Sequence, residues 1–251
     1  MSNGSLYTHI QNNIATVEFY HPASNSFPSE LLERLAAEFN ALSINNEVHV
    51  IILKSEKEKA FCAGASFDEL VAITNFEEGK EFFIGFANVI NAMRKCSKLI
   101  IGRIQGKAVG GGVGLAAACD YCFATEQAAI KLSEFTIGIG PFVIAPVVER
   151  KIGVAALSEL TLDATSWQNA YWAKEKGLFA KVFETHSELD NEVDILASKL
   201  ASYNPEALNE MKKIVWQGTE NWDILLNDRA AISGKLVLSD FTKKALQKFK
   251  K

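Results

Sequence analysis

Apolar and polar residues alternate over residues 7–10 and 14–20, and Asn12-Asn13 separates the two segments. That pattern predicts a β-hairpin. Residues 21–28 are turn formers and read as a loop. The period changes at Pro28-Ser29-Glu30, beyond which Leu31, Leu32, Leu35, Phe39 and Leu42 fall at helical spacing. Residues 48–53 are continuously apolar, as a strand buried on both faces requires. A loop, a stretch of small residues and a short helix from about Phe67 follow. Residues 76–96 read as a longer helix and 99–104 as a second buried strand. Gln105-Gly106-Lys107 reads as a turn, and the glycine-rich stretch after it opens an apolar helix ending near Ala118. Strands are expected over 121–124 and 129–132, helices over 143–152, 155–162 and 167–174, and a short strand over 181–183. From about residue 187 the pattern is helical, over 188–203, 205–216 and 221–236, with a basic helix from Ser239. Strand–helix alternation argues for an α/β core over residues 1–190, followed by a helical region over 191–251.

Composition narrows the function classes. The chain has 251 residues, 48% of them hydrophobic, enough for one large domain or a domain with an appendage. The formal net charge is −4, which argues against a nucleic-acid partner. The basic run over 243–251 reads as a solvated helix face. The N-terminal residues carry no leader pattern, and no apolar run reaches transmembrane length, so a soluble, cytoplasmic protein with no membrane partner is expected. Free thiols at Cys62, Cys96, Cys119 and Cys122 suit that compartment. Cys119 and Cys122 form a C-x-x-C in an apolar, strand-like segment, with no second pair or histidine at zinc spacing. Strand alternation would place them on opposite faces, so no metal site is expected.

The chemistry concentrates in two stretches. The first is Lys59-Ala60-Phe61-Cys62-Ala63-Gly64-Ala65-Ser66; the second is Gly110-Gly111-Gly112-Val113-Gly114-Leu115, followed by Leu132-Ser133-Glu134. The order G-G-G-V-G lacks the offsets of a dinucleotide fingerprint, and no G-K-[ST] follows, which excludes a Walker loop. Taken alone, these glycines fit a tight strand-to-helix turn. A helix opening at Gly111 or Gly112 also presents unpaired N–H groups and the positive end of its dipole. A second donor would come from Ala63-Gly64-Ala65. Two N–H donors aimed at one oxygen, with a desolvated Glu134 among apolar residues, would stabilise an enolate and move its proton.

Three motifs, KAFCAGAS, GKAVGGGVGLAAACD and KLSEFTIGIGP, match in order and spacing those of the crotonase superfamily. The chain resembles these enoyl-CoA hydratases and isomerases from about residue 7 to residue 183. The resemblance implies a spiral of ββα units with a C-terminal helical trimerisation region, an acyl-CoA thioester substrate, and a homotrimer or dimer of trimers. It implies no cofactor beyond the coenzyme A of the substrate. By motif position, the Ala65 and Gly111 N–H groups form the oxyanion hole and Glu134 is the acid/base. Lys59, Ala63, Gly64, Ser66 and Phe67 lie along the bound CoA, and the loop from Asn25 to Phe27 lies near its path.

One position departs from the pattern. Two-carboxylate hydratases carry a first glutamate where this chain has Gly114. Single-glutamate members include allylic isomerases and hydratases of the methylglutaconyl-CoA type. The chain is most similar to the latter, through GGGVGL and the stretch Leu132 to Gly153. Hydration is therefore expected ahead of isomerisation or of acyl-CoA binding without turnover. Asp68 or Glu69 would supply a second carboxylate if their short helix leans over the site. Asp120 reads as a buried anchor and Cys62 as a small buried residue, while Phe82, Phe83 and Phe86 read as core or acyl-pocket wall. The family's tail contacts CoA phosphates of a neighbouring subunit, a pattern that Lys243, Lys244, Lys248 and Lys250 match only in part.

Overall fold

The continuously apolar runs form the middle of a six-stranded sheet, and the short strands after them build a second sheet of four. The structure, a computed structural model, describes residues 4–56 and 59–248. β1 (Ser5–Gln11) and β2 (Ile14–Tyr20) form the expected hairpin. Asn12 and Asn13 have φ of 52° and 63°, the left-handed pair that a tight hairpin turn needs. α1 (Ser29–Ile44) buries the predicted leucine and phenylalanine stripe.

Three units of two strands and a helical segment follow. The first is β3 (Val50–Ser55), β4 (Ala60–Cys62), α2 (Phe67–Ala72) and α3 (Phe76–Lys95). The second is β5 (Leu99–Ile104), β6 (Lys107–Val109) and α4 (Gly111–Ala118). The third is β7 (Tyr121–Thr125), β8 (Ala129–Lys131), a 3₁₀ turn at Glu134–Ile137 and α5 (Ala145–Leu162). In each unit the first strand joins the large sheet and the second joins the small one. Equivalent strands of successive units pair in parallel. The chain therefore advances as the spiral of ββα units that the resemblance implied. β9 (Gln168–Asn169), α6 (Ala170–Glu175) and β10 (Lys181–Phe183) complete the sheets, in the orders β1-β2-β3-β5-β7-β10 and β4-β6-β8-β9.

Four helices end the chain: α7 (His186–Ala201), α8 (Pro205–Val215), α9 (Trp222–Leu236) and α10 (Asp240–Gln247). Residue 190 lies within α7, which lays Leu189, Val193 and Ala197 on Val50, Ile52, Ile101 and Phe123 of the large sheet. The alternate residues Ile51, Leu53, Ile100 and Ala124 face the main core instead. Strands that serve two cores must be apolar at every position, which explains the unbroken runs. α9 crosses α3 backbone to backbone: a Cβ at Gly79 would lie 2.9 Å from Gly234 O.

Several local expectations change. Lys107 is not in a turn but opens β6. The two helices expected over 143–152 and 155–162 are found as the two arms of α5, which is broken at Gly153, with φ 77° and ψ 163°. α6 starts at Ala170, three residues later than expected, because the Asn169 side chain caps it through Trp172 N. Cys119 and Cys122 are neighbours rather than on opposite faces. Cys119 ends α4 and only Cys122 is in β7, so strand alternation does not connect them. Both Sγ atoms lie against Gly102, at 3.0 and 2.7 Å from where its Cβ would be. Burial pushes the Cys119 thiol up, whereas the hydrogen bond with Cys119 holds Cys122 down.

Asp120, between them, is an anchor as expected. Its Oδ2 accepts from Ile100 N at 2.8 Å and meets Lys212 Nζ at 3.0 Å, and its Oδ1 accepts from Trp216 Nε1 at 2.7 Å. This buried pair ties α8 to the large sheet. Among the described residues no helix is long and apolar enough to cross a membrane.

Candidate active site

The ends of β4, β6 and β8, neighbours in the small sheet, each deliver one functional group. After β4 the chain turns through Ala63-Gly64-Ala65. Ala63 N donates to Ser24 O at 3.1 Å, Phe27 N to Gly64 O at 2.8 Å and Ser66 N to Phe27 O at 2.9 Å. These bonds fasten the turn to the loop before α1 and leave Ala65 N without an acceptor among the described residues. Gly64 has φ of 86°, and a Cβ there would lie 2.9 Å from Val109 O and 3.4 Å from Gly111 N. Only glycine allows the two turns to touch in this way.

After β6 the chain turns through Gly110, with φ 52° and ψ −120°. That backbone region excludes side chains, and it swings the chain straight into α4. Gly110 N donates to Lys131 O at 2.9 Å. Gly111 N, at the first position of α4, has no acceptor among the described residues. It is an orphan donor at the positive end of a helix.

After β8 the 3₁₀ turn begins with Glu134. Its Oε1 lies 2.8 Å from where a Gly110 Cβ would be, so the carboxyl rests on the Gly110 backbone. Its Oε2 is buried and has no hydrogen-bond partner among the described residues. Burial pushes the carboxyl up from 4.5 to about 7, against a smaller downward pull from its own backbone N–H. A desolvated acid with this pKa both accepts and donates protons near neutrality.

Ala63, Gly64, Ala65, Phe67, Gly111 and Glu134 line one cavity of about 430 Å³. Phe86 presses on Gly111, with Cε1 2.2 Å from where a Cβ would be. Phe83 and Phe86 are wall residues, whereas Phe82 belongs to the core beneath, with Leu70 and Val237. The slot of the missing first glutamate is not empty. A Cβ at Gly114 would lie 2.5 Å from Ile144 Cγ2, and Ile144 itself lines the cavity. Neither Asp68 nor Glu69 supplies a second carboxylate. Asp68 is exposed, and Glu69 Oε2 accepts from Ser29 N at 2.9 Å and Ser29 Oγ at 2.6 Å, away from the cavity. Cys62 is fully buried and its thiol is pushed up to about 12, so it is no nucleophile.

Three residues assigned to the substrate path lie off this cavity. Asn25 is buried, and its carboxamide accepts from His21 N at 3.0 Å and donates to Glu56 O and Ala60 O at 3.0 and 2.9 Å. With those bonds made, it braces the loop behind the oxyanion turn. Ser66 is buried and caps α2 through Glu69 N at 3.4 Å. Lys59 lines a separate polar depression with Lys107, Gln127 and His186. Of the tail lysines, Lys243, Lys244 and Lys248 are exposed, and Lys250 lies outside the described residues.

Trp167, Lys131 and Ser233 are among the lining residues that escaped the sequence reading. Trp167 lies beneath Lys107 Nζ and Lys131 Nζ, 4.9 and 5.2 Å from its ring centre, and Lys131 Nζ donates to Thr165 O at 3.0 Å. Lys131 and Trp167 both line the cavity. Lys131 opens the KLSE motif, so its position was available as a signal. Ser233 reaches the cavity from α9, and nothing local marks it. Among the described residues no three His, Cys, Asp or Glu side chains gather at metal-binding range.

This geometry has relatives. A family model described as enoyl-CoA hydratase/isomerase matches residues 9–250. The chain is 31% identical over 196 residues to the peroxisomal Delta(3,5)-Delta(2,4)-dienoyl-CoA isomerase of Arabidopsis thaliana, covering 72% of this chain and 69% of that protein. It is 30% identical over 209 residues to the short-chain-enoyl-CoA hydratase of Clostridium acetobutylicum, covering 82% and 79%. It is 32% identical over 200 residues to the mitochondrial methylglutaconyl-CoA hydratase of Rattus norvegicus, covering 78% and 63%. The crystal structure of an enoyl-CoA hydratase from Bacillus halodurans superposes with a TM-score of 0.90 at 22% identity, covering 97% of this chain and 99% of that one, and shares the fold. Sequence match and spiral fold agree over nearly the whole chain, which belongs to the enoyl-CoA hydratase/isomerase family.

Proposed function

We propose that the protein hydrates the double bond of an enoyl-CoA thioester with one carboxyl group, Glu134, as both base and acid. The observation that carries the reading is Glu134, whose buried Oε2 has no partner among the described residues, in the same cavity as two backbone N–H groups with no acceptor among them. The thioester oxygen accepts from Ala65 N–H and Gly111 N–H, which withdraws electrons from Cβ. Ionised Glu134 takes a proton from a water as its oxygen bonds to Cβ. The π electrons move to Cα and the thioester oxygen, giving an enolate held by the two amides. Protonated Glu134 then delivers that proton to Cα, so one water is consumed and the carboxylate is restored. A pKa of about 7 suits a group that works in both directions.

Glu134→Gln tests the assignment. We expect kcat for hydration of a 2-enoyl-CoA to fall about 10²–10⁴-fold, with little change in the Kd of a saturated acyl-CoA. Undiminished turnover would overturn the role of Glu134, and binding without turnover in the native protein would leave an acyl-CoA-binding function.

A second reading is movement of the double bond between the 3 and 2 positions. It is favoured by Ile144, which fills the Gly114 slot and leaves Glu134 as the single carboxyl in the cavity among the described residues. One base suffices to carry a proton between Cα and Cγ. Supplying a 3-enoyl-CoA and following both the 2-enoyl and the 3-hydroxy products separates the two reactions.

A further inference from the structure

Two of the residues that line the cavity each carry a buried polar atom with no hydrogen-bond partner among the described residues: Glu134 Oε2 and Ser233 Oγ. The first has a role in the proposed reaction; the second has none. Ser233 is 1% exposed and lies in the last two turns of α9. A serine inside a helix usually returns its hydroxyl to the carbonyl four residues back. Ser233 Oγ makes no such bond. A buried hydroxyl left unpaired is costly, so one retained on a cavity wall marks a place where something else supplies the bond.

Its position along the cavity follows from α3. Phe86 of α3 touches Gly111, and Gly79 of α3 touches Gly234, the neighbour of Ser233. Seven residues of helix separate those contacts, roughly 10 Å along the axis. Ser233 therefore enters the cavity far from the oxyanion turn, beyond the reach of the Cα and Cβ atoms of a bound thioester. Leu70, Phe83 and Ile139 share the cavity lining and belong to the apolar cluster that includes Phe82 and Val237 of the same α3–α9 region. Among the described residues a single cationic side chain lines the cavity, Lys131, and it is held by Thr165 O and the Trp167 ring. A carboxylate beside Ser233 would be buried with no cation to compensate it. A neutral oxygen needs only the hydroxyl.

We infer that Ser233 is a specificity residue that hydrogen-bonds a neutral oxygen, hydroxyl or keto, several carbons beyond the thioester of an oxygenated acyl-CoA. This rests on the acyl-CoA reading of the cavity but not on which reaction Glu134 performs.

Binding of saturated CoA esters, which cannot turn over, tests it by titration calorimetry. The probes are octanoyl-CoA, its analogues with a keto or hydroxyl group near the chain end, and suberoyl-CoA, which ends in a carboxylate. The native protein is expected to bind the keto or hydroxyl ester about tenfold more tightly than octanoyl-CoA, the size of one good hydrogen bond in a closed site. Ser233→Ala is expected to abolish that preference while its Kd for octanoyl-CoA and its melting temperature stay near native. Ser233→Cys, with a weaker donor of similar shape, is expected to keep part of it. Equal preference in the native protein and Ser233→Ala, no preference in the native protein, or tightest binding of suberoyl-CoA would overturn the assignment. Binding of none of the esters would overturn the acyl-CoA reading itself, and the inference with it.

Discussion

Ionising Glu134 destabilises the fold, and the size of the effect is calculable. The carboxyl is neutral in the folded protein until about pH 7 but ionises near 4.5 once exposed by unfolding. Between those values the folded state holds one proton more than the unfolded state, so stability falls as pH rises. The slope is about 1.4 kcal/mol per pH unit, and the loss levels off above pH 7 at no more than about 3–4 kcal/mol. Glu134→Gln keeps the shape and has nothing to ionise. Urea unfolding of both proteins from pH 4.5 to 8 is the assay. The native protein should lose stability relative to the variant across pH 4.5 to 7 and run parallel to it above. A difference that does not change with pH would refute the reasoning, since it would mean a carboxyl that water or a cation stabilises in the fold. Hydration rate should rise over the same pH span in which stability is lost, because the ionised form accepts the proton of water.

Two other perturbations follow from distances already given. Gly110→Ala places a methyl 2.8 Å from Glu134 Oε1 in a backbone region with φ 52° and ψ −120°. It should cost about 1–3 kcal/mol in urea unfolding and lower kcat by displacing the carboxyl; native kcat in a folded variant would count against the placement of Glu134. Asp120→Ala removes the partner of buried Lys212 and Trp216. It should cost about 3–5 kcal/mol, read as a fall in melting temperature, and a change under about 1 kcal/mol would contradict the anchoring role.

The large sheet was legible in the sequence because its strands face two cores, which leaves runs such as Val50 to Leu53 with no polar position to confuse the reading. Of the small sheet only β8 was legible as a strand. β4, β6 and β8 have three residues each, which leaves little room for a period to show. They nevertheless carry the three groups of the site. The motifs located those groups because glycines and a glutamate at fixed offsets are local signals. Asn25 shows the limit of that reasoning. A polar residue near the site was assigned to the ligand, whereas its carboxamide ties the loop to Glu56 and Ala60. Cys119 and Cys122 show another limit, since one helix end between them cancels the alternation of the strand. Ser233 required the crossing of α9 over α3, which no local pattern encodes.

The Gly79–Gly234 crossing also orders events in time. The groups of the proposed reaction all lie before Ile137, at the ends of strands of the first three units. The wall that carries Ser233 belongs to α9, which leaves the ribosome near the end of synthesis. On the proposed reading, synthesis therefore supplies the reactive groups before the surface inferred to select among acyl groups. That selectivity rests on two glycines that let α9 close on α3.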